Sequence, residues 1–260
     1  MSAPNKRTPR IVAVARRDEI LAYADELLDL ASFSDYGPMG LQVSGADEVG
    51  RIACGVSASL ELFERAAAAG AQLLIVHHGL LWDSDPRTID QPMRRRLEAL
   101  FKAELTLAAY HLALDAHPEV GNNALLAREL GIEPEHPFAD IGVGGPLVEP
   151  ATLERFLARV RGRVQSEPLA FDYGPELIER AAVVSGGGGK YLAEAAAKGY
   201  DLFLTGEPEE PSLHTARELG IHFVAAGHYA TERLGVQALA QRLAERFAVS
   251  WEFIDLPNPV

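Results

Sequence analysis

From residue 51 onward the chain alternates short apolar runs with longer stretches whose apolar residues recur at helical spacing. The runs fall at 51–57, 73–78, 105–111, 181–185, 201–205 and 221–226, and the helical stretches at 59–69, 92–103, 190–198, 211–219 and 232–247. Continuous apolar runs of this length suit strands buried on both faces, and their alternation with helices predicts largely parallel sheets with helical covers. Upstream, residues 16–31 place Ile20, Ala24, Leu27 and Leu28 at helical spacing, while residues 1–10 read as a disordered tail. Gly70, Gly131, Gly199 and Gly220 each close a helical stretch, where glycine tolerates the left-handed cap.

Two segments share one layout. AAAAGAQLLIVHHG (66–79) and AAAKGYDLFLTGE (195–207) both run from an alanine-rich helix through a glycine and a hydrophobic strand to a polar loop. The predicted fold class is therefore α/β, with two related α/β lobes. The middle of the chain, about 132–175, differs: it is rich in proline and glycine and offers one helix near 151–161 and one strand near 163–171. The boundary is placed at its start. An N-terminal lobe, 1–131, then carries His77, His78 and Asp115, and a C-terminal lobe, 132–260, carries His228 and Glu232.

Composition narrows the partners. A formal net charge of -13 disfavours nucleic acid, which binds through lysine and arginine. No apolar segment approaches the roughly 20 residues that span a bilayer, and no apolar run of signal-peptide type follows the opening MSAPNKRTPR. One cysteine, Cys54, lies in the apolar run RIACGV and reads as a small buried hydrophobe. These features predict a cytoplasmic, reduced protein.

The chemistry-bearing residues cluster at strand ends. His77 and His78 end one run, His111 ends another with Asp115 just beyond, and His228 follows a third with Glu232 four residues later. Open α/β sheets place ligands beyond the carboxyl ends of their strands. Consecutive histidines on a regular strand point to opposite faces, but where the backbone turns at a strand end each could reach one of two adjacent metals. A carboxylate can bridge both with its two oxygens. A nitrogen and oxygen donor set without thiolate favours zinc, iron or manganese over calcium. A shared metal site at these strand ends is therefore expected.

Of the other histidines, His117, His136 and His222 read as surface or structural, while His214 could face the same crevice. The run SGGGGK, Ser185 to Lys190, joins a strand to a helix. Its backbone N–H groups at Gly187 and Gly188, with Lys190, could hold an anion, although tight packing of a turn explains the glycines as well. The run fits neither the P-loop nor the G-x-G-x-x-G pattern. GVSAS is no nucleophile elbow, since Ser59 stands where glycine is required. Metal-activated water is the remaining attacking group.

The segments DYGPMGLQVSG (35–45), IVHHGLLW (75–82), AYHLALDAHPEVGNNALLARELGI (109–132), SGGGGKYLAEAAAKGYDLFLTGE (185–207) and AGHYATERLGVQAL (226–239) occur in order. Together they resemble the GTP cyclohydrolase I type 2 homologues, also called Nif-type dinuclear-metal proteins, in the short form without an inserted domain. The resemblance implies a two-lobed protomer, a toroidal homohexamer and a dinuclear site, two divalent ions per subunit held by His77, His78, Asp115, His228 and Glu232. It puts His111 beside the metals, either behind the ligands or weakly bound. Two departures stand out. Gly79 replaces the usual proline after the histidine pair and loosens that turn, and Leu112 and Ala113 replace two polar groups. The expected activity is a metal-dependent hydrolase acting on a small anionic substrate, nucleotide-like or phosphorylated, with His111 shuttling a proton. At this level His214 or Glu207 would serve equally, and a metal-binding adaptor without turnover is the alternative.

Overall fold

The computed structural model describes residues 14–165 and 167–260; the expected disordered tail lies outside them. Two sheets organise the chain. The first has five strands in the order Ser250–Phe253, Arg51–Ser57, Leu73–His78, Thr106–Ala109 and Gly40–Val43, all parallel except the last. The second has six, in the order His136–Phe138, Gly142–Ala151, Ile178–Val184, Leu202–Thr205, His222–Ala225 and Leu169–Phe171. Only its three central strands run parallel to one another, so this sheet is mixed rather than largely parallel.

The two lobes share one winding. In each, a helix precedes an antiparallel edge strand, three parallel strands follow with two helices between them, and the edge strand docks beside the third. The two intervening helices cover one face: Leu60–Ala68 and Gln91–Lys102 on the first sheet, Leu192–Ala197 and Ser212–Leu219 on the second. Successive strand residues feed opposite layers, as the two-residue period requires. Leu73 and Ile75 join one core and Leu74 and Val76 the other, which is why the run carries no polar residue before His77.

The remaining faces are covered by exchange. Helix Asn122–Glu129 follows the first lobe's third strand but packs Leu126 and Ala127 into the second sheet's core. Helix Arg233–Phe247 follows the second lobe's third strand but packs Val236, Leu239, Ala240 and Leu243 into the core of the first. The chain then ends in strand Ser250–Phe253, parallel to Arg51–Ser57. Residues 233–253, grouped by the sequence with the second lobe, thus belong to the first sheet.

The expected helix ends hold. Gly70, Gly131, Gly199 and Gly220 have φ of 73, 77, 75 and 66°, and Cys54 is fully buried, which pushes its thiol up. The proline- and glycine-rich middle differs from expectation, because Gly142–Ala151 is a ten-residue strand. Its glycines are imposed from outside: a side chain at Gly144 would overlap the Tyr200 ring, and one at Gly145 the Glu133 carbonyl. Local composition cannot report such neighbours. None of the helices among the described residues is long and apolar enough to cross a membrane.

Candidate metal centre

All six strand-end residues meet where the two lobes face each other. His77 and His78 still lie within their strand, yet their rings are 4.8 Å apart, and the His228 ring comes from the other lobe to within 5.1 Å of His78. Glu232 stands at the centre. Its Oε1 is 3.5 Å from His77 Nε2, and its Oε2 is 3.1 Å from both His78 Nε2 and His228 Nε2. Asp115 Oδ2 is 3.5 Å from His77 Nε2. Three groups could each hold an ion: His77, Asp115 and Glu232; His78, His228 and Glu232; and His77, His78 and His111.

The donors fit a metal by three independent features. First, two ligands about 2.1 Å from one ion stand roughly 3.0–3.4 Å apart at octahedral to tetrahedral angles, close to the spacings here. Second, the buried His77 Nε2 and Glu232 Oε2 make no well-aligned hydrogen bond, having only the cluster's own imidazole and carboxylate groups at 3.1–3.5 Å, an arrangement that costs free energy unless something else satisfies them. Third, the far side of each ring is engaged. His77 Nδ1 donates to the Tyr110 carbonyl at 2.9 Å and His111 Nδ1 to Asp35 Oδ1 at 2.8 Å, while His228 Nδ1 donates to Glu207. Ser57 Oγ lies 3.0 Å from His78 Nδ1 and can accept from it. With Nδ1 donating, each Nε2 turns a lone pair toward the cluster. Asp115 is held likewise: Asn122 Nδ2 donates to Oδ1 at 2.8 Å and Ser185 Oγ at 3.3 Å.

Charge follows from burial. Burial opposes a proton on His77, but the Asp115 and Glu232 carboxylates outweigh it and raise His77 to about 10. His228, also opposed by burial, is raised to about 9 by Glu232 and Glu207. Burial lowers His78 and raises Asp115, and Glu232 is held well below the usual carboxylate range by His77 and its imidazole neighbours despite its burial. Without a cation, then, the cluster neutralises its carboxylates with protons on His77 and His228.

His78, His111, Asp115, His228 and Glu232 line a cavity of ≈ 590 Å³, whose wall also includes Phe33, Tyr36 and Tyr191. Gly187, Gly188 and Lys190, the residues of the expected anion cradle, line it too. The N–H groups of Ser185, Gly186 and Gly188 are committed to Asn123 Oδ1, Thr231 Oγ1 and Thr205 Oγ1 at 2.6, 3.0 and 3.0 Å. Tight packing accounts for two of the run's glycines: a side chain at Gly188 would overlap Val184 and Thr205. Gly186, with φ of 63°, backs directly onto Glu232, and a Cβ there would overlap Oε1.

The other expectations sort by contact. His117 and His222 are structural: His117 Nδ1 accepts the Glu119 and Val120 N–H groups, and His222 bridges Gly174 and Pro175. His136 and His214 are exposed, and His214 does not line the cavity. Glu207 is occupied with His228. The turn after the histidine pair is braced despite Gly79, because Gln42 Oε1 accepts the Leu80 N–H at 2.7 Å. Leu112 lines the cavity, whereas Ala113 is buried in the first core. Sequence reasoning missed Asp35, Asn122 and Gly186; each lies inside a quoted segment, but only its partner reveals its task.

Comparison with known proteins places the chain in a family. The chain is 47% identical over 241 residues to the GTP cyclohydrolase 1 type 2 homolog of Pseudomonas aeruginosa, covering 91% of this chain and 95% of that one. It is 42% identical over 245 residues to the Escherichia coli K12 protein of the same name, covering 94% and 99%. Among solved structures, protein ybgI, of unknown function, superposes with a TM-score of 0.92 at 41% identity, over 95% of this chain and 100% of that one. The Thermus thermophilus protein TTHA1606 follows at 0.89 and 38%, with the same coverage. Residues 15–259 match one family throughout, and the chain belongs to it: Duf34/NIF3 (NGG1p interacting factor 3).

Proposed function

We propose that this chain is a metal-dependent hydrolase of small nucleotide-like or phosphorylated substrates, holding two divalent ions on His77, His78, Asp115, His228 and Glu232. One observation carries the reading: clustered imidazole and carboxylate donors, those of His78, His111, Asp115, His228 and Glu232, converge on the wall of a cavity large enough for such a substrate. His77, Asp115 and Glu232 would hold one ion, and His78, His228 and Glu232 the other. The absence of thiolate among these donors suits zinc, iron or manganese. Bound there, the ions would lower the pKa of water and stabilise negative charge on the substrate.

The chain's own residues supply the rest. Lys190 stands at the cavity wall with its ammonium over the Tyr191 ring at 4.9 Å, placed to meet an anionic group. Phe33, Tyr36 and Tyr191 offer flat faces for a ring. His111 takes the proton that the attacking water gives up. Ring opening of a purine nucleotide, the activity in the name of the curated relatives, is one instance of this chemistry. A homohexamer in the cytoplasm is the expected setting, consistent with a single buried thiol.

The test is metal content per chain, in wild type and in His228→Ala, Glu232→Ala, with turnover of GTP and bis(p-nitrophenyl) phosphate. The expected result is about two metals in wild type, lost in the variant together with turnover. Wild type that retains no zinc, iron or manganese on reloading, or metal-free protein that turns over equally well, rejects the hydrolase and leaves an adaptor.

A further inference from the structure

The cluster's imidazoles do not have equivalent partners. His77 donates to a neutral carbonyl, and His78 is paired with a hydroxyl. Glu207 beneath His228 has a side chain 38% exposed, whereas the Asp35 side chain beneath His111 is 1% exposed. Both Asp35 oxygens are in use. Oδ1 accepts His111 Nδ1–H at 2.8 Å and the Tyr36 N–H at 2.7 Å, and Oδ2 accepts the Leu112 N–H at 3.0 Å. Burial works against this charge, but the three donors prevail and hold the carboxyl below its ordinary range. Trp82 closes another side of the ring, edge to face at 5.2 Å and 89°. On another side His111 meets the cavity and the His77–His78 pair.

A lone pair on His111 Nε2 has two uses, proton acceptor or metal ligand. The other five residues already give each ion three donors, and a group that included His111 would have to draw on His77 and His78, which those ions already use. A base also acquires a positive charge when it works, and a buried carboxylate is an unscreened counter-charge for it. We propose that Asp35 is a positioning residue that fixes His111 as the proton acceptor of the site. The proton passes from water to Nε2, the O–H electron pair stays on the oxygen that attacks, and Asp35 balances the imidazolium. This rests on the hydrolase reading; its structural half, the tautomer, does not.

The experiment uses the full chain loaded with zinc, comparing wild type, Asp35→Asn and His111→Ala. Long-range nitrogen–proton NMR of labelled histidine should show His111 as the Nδ1–H tautomer in wild type and a redistributed tautomer in Asp35→Asn. Zinc per chain should stay at the wild-type value in both variants. Hydrolysis of bis(p-nitrophenyl) phosphate should fall about 10²–10⁴-fold in each, mainly in kcat. The double variant should be no slower than His111→Ala, because the pair acts as a unit. Zinc loss in His111→Ala would make His111 a ligand and overturn the proposal, as would an Nε2–H tautomer in wild type or an unchanged tautomer in Asp35→Asn. The wild-type tautomer and the His111→Ala zinc content decide even where Asp35→Asn does not fold. If wild type turns nothing over, the hydrolase reading fails and so does the proton-acceptor role, while the tautomer still shows whether Asp35 orients His111.

Discussion

A methyl group on residue 186 would occupy space already filled by Glu232. The Cβ would overlap Oε1 and lie 3.1 Å from both Glu232 Cδ and His228 Nε2, where 3.4 Å or more is ordinary contact. Relief requires the carboxylate to retreat by roughly 1 Å, several times the ~0.2 Å tolerance of a metal–ligand distance. The backbone adds its own penalty, since φ of 63° costs an alanine about 1–2 kcal/mol. Gly186→Ala should therefore lose metal from both positions, because Glu232 serves both, and should melt about 2–4 °C lower per kcal/mol of backbone strain even when metal-free. Gly187→Ala is the control: no atom lies within 4 Å of its Cβ position, and its metal content should not change. Elemental analysis after dialysis against a weak chelator, with calorimetry of the metal-free forms, reads both effects. A Gly186→Ala protein that keeps the wild-type metal content would refute the packing argument.

Two further outcomes follow from the same geometry. Because His77 is raised from 6.5 to about 10, the stability it gives metal-free protein is complete below about pH 6.5 and is lost as pH rises toward 10. Metal affinity should climb over the same interval, with protons released on zinc addition; a flat melting temperature and no proton release in unbuffered titration would contradict this. Leu239, fully buried between helix Arg233–Phe247 and the first sheet, should cost about 2–5 kcal/mol on replacement by alanine. Urea unfolding checks it, and a loss below about 1 kcal/mol would mean that the exchanged helix is not part of that core.

Much of this arrangement was legible in the chain. Runs such as LLIVHH are local signals: four consecutive apolar positions, all buried, demand a strand covered on both sides, and the first polar residues after them mark its open end. The same reasoning found His111, Asp115, His228 and Glu232, because ligands of an α/β protein collect where strands stop. It failed where the deciding neighbour is distant in sequence. In SGGGGK it could not tell that Gly186 must be glycine because Glu232 presses on it, and in the proline- and glycine-rich middle it found no strand at Gly142–Ala151, whose glycines answer to Tyr200 and Glu133.

The sequence by itself determined the alternation of strands and helices, their caps, the buried thiol and the residue types at the site, since each depends on periodicity or on a few adjacent side chains. Only the tertiary structure decided that helices Asn122–Glu129 and Arg233–Phe247 cross to the opposite sheets, that strand Ser250–Phe253 returns to the first, and that Asp35, Asn122 and Glu207 orient the site. The physical reason is that an amphipathic helix records only that one face is buried, not against which sheet. Likewise a carboxylate records only that it can accept a hydrogen bond. Partners 76 residues apart, as Asp35 and His111 are, become neighbours only once the first lobe has folded around its sheet.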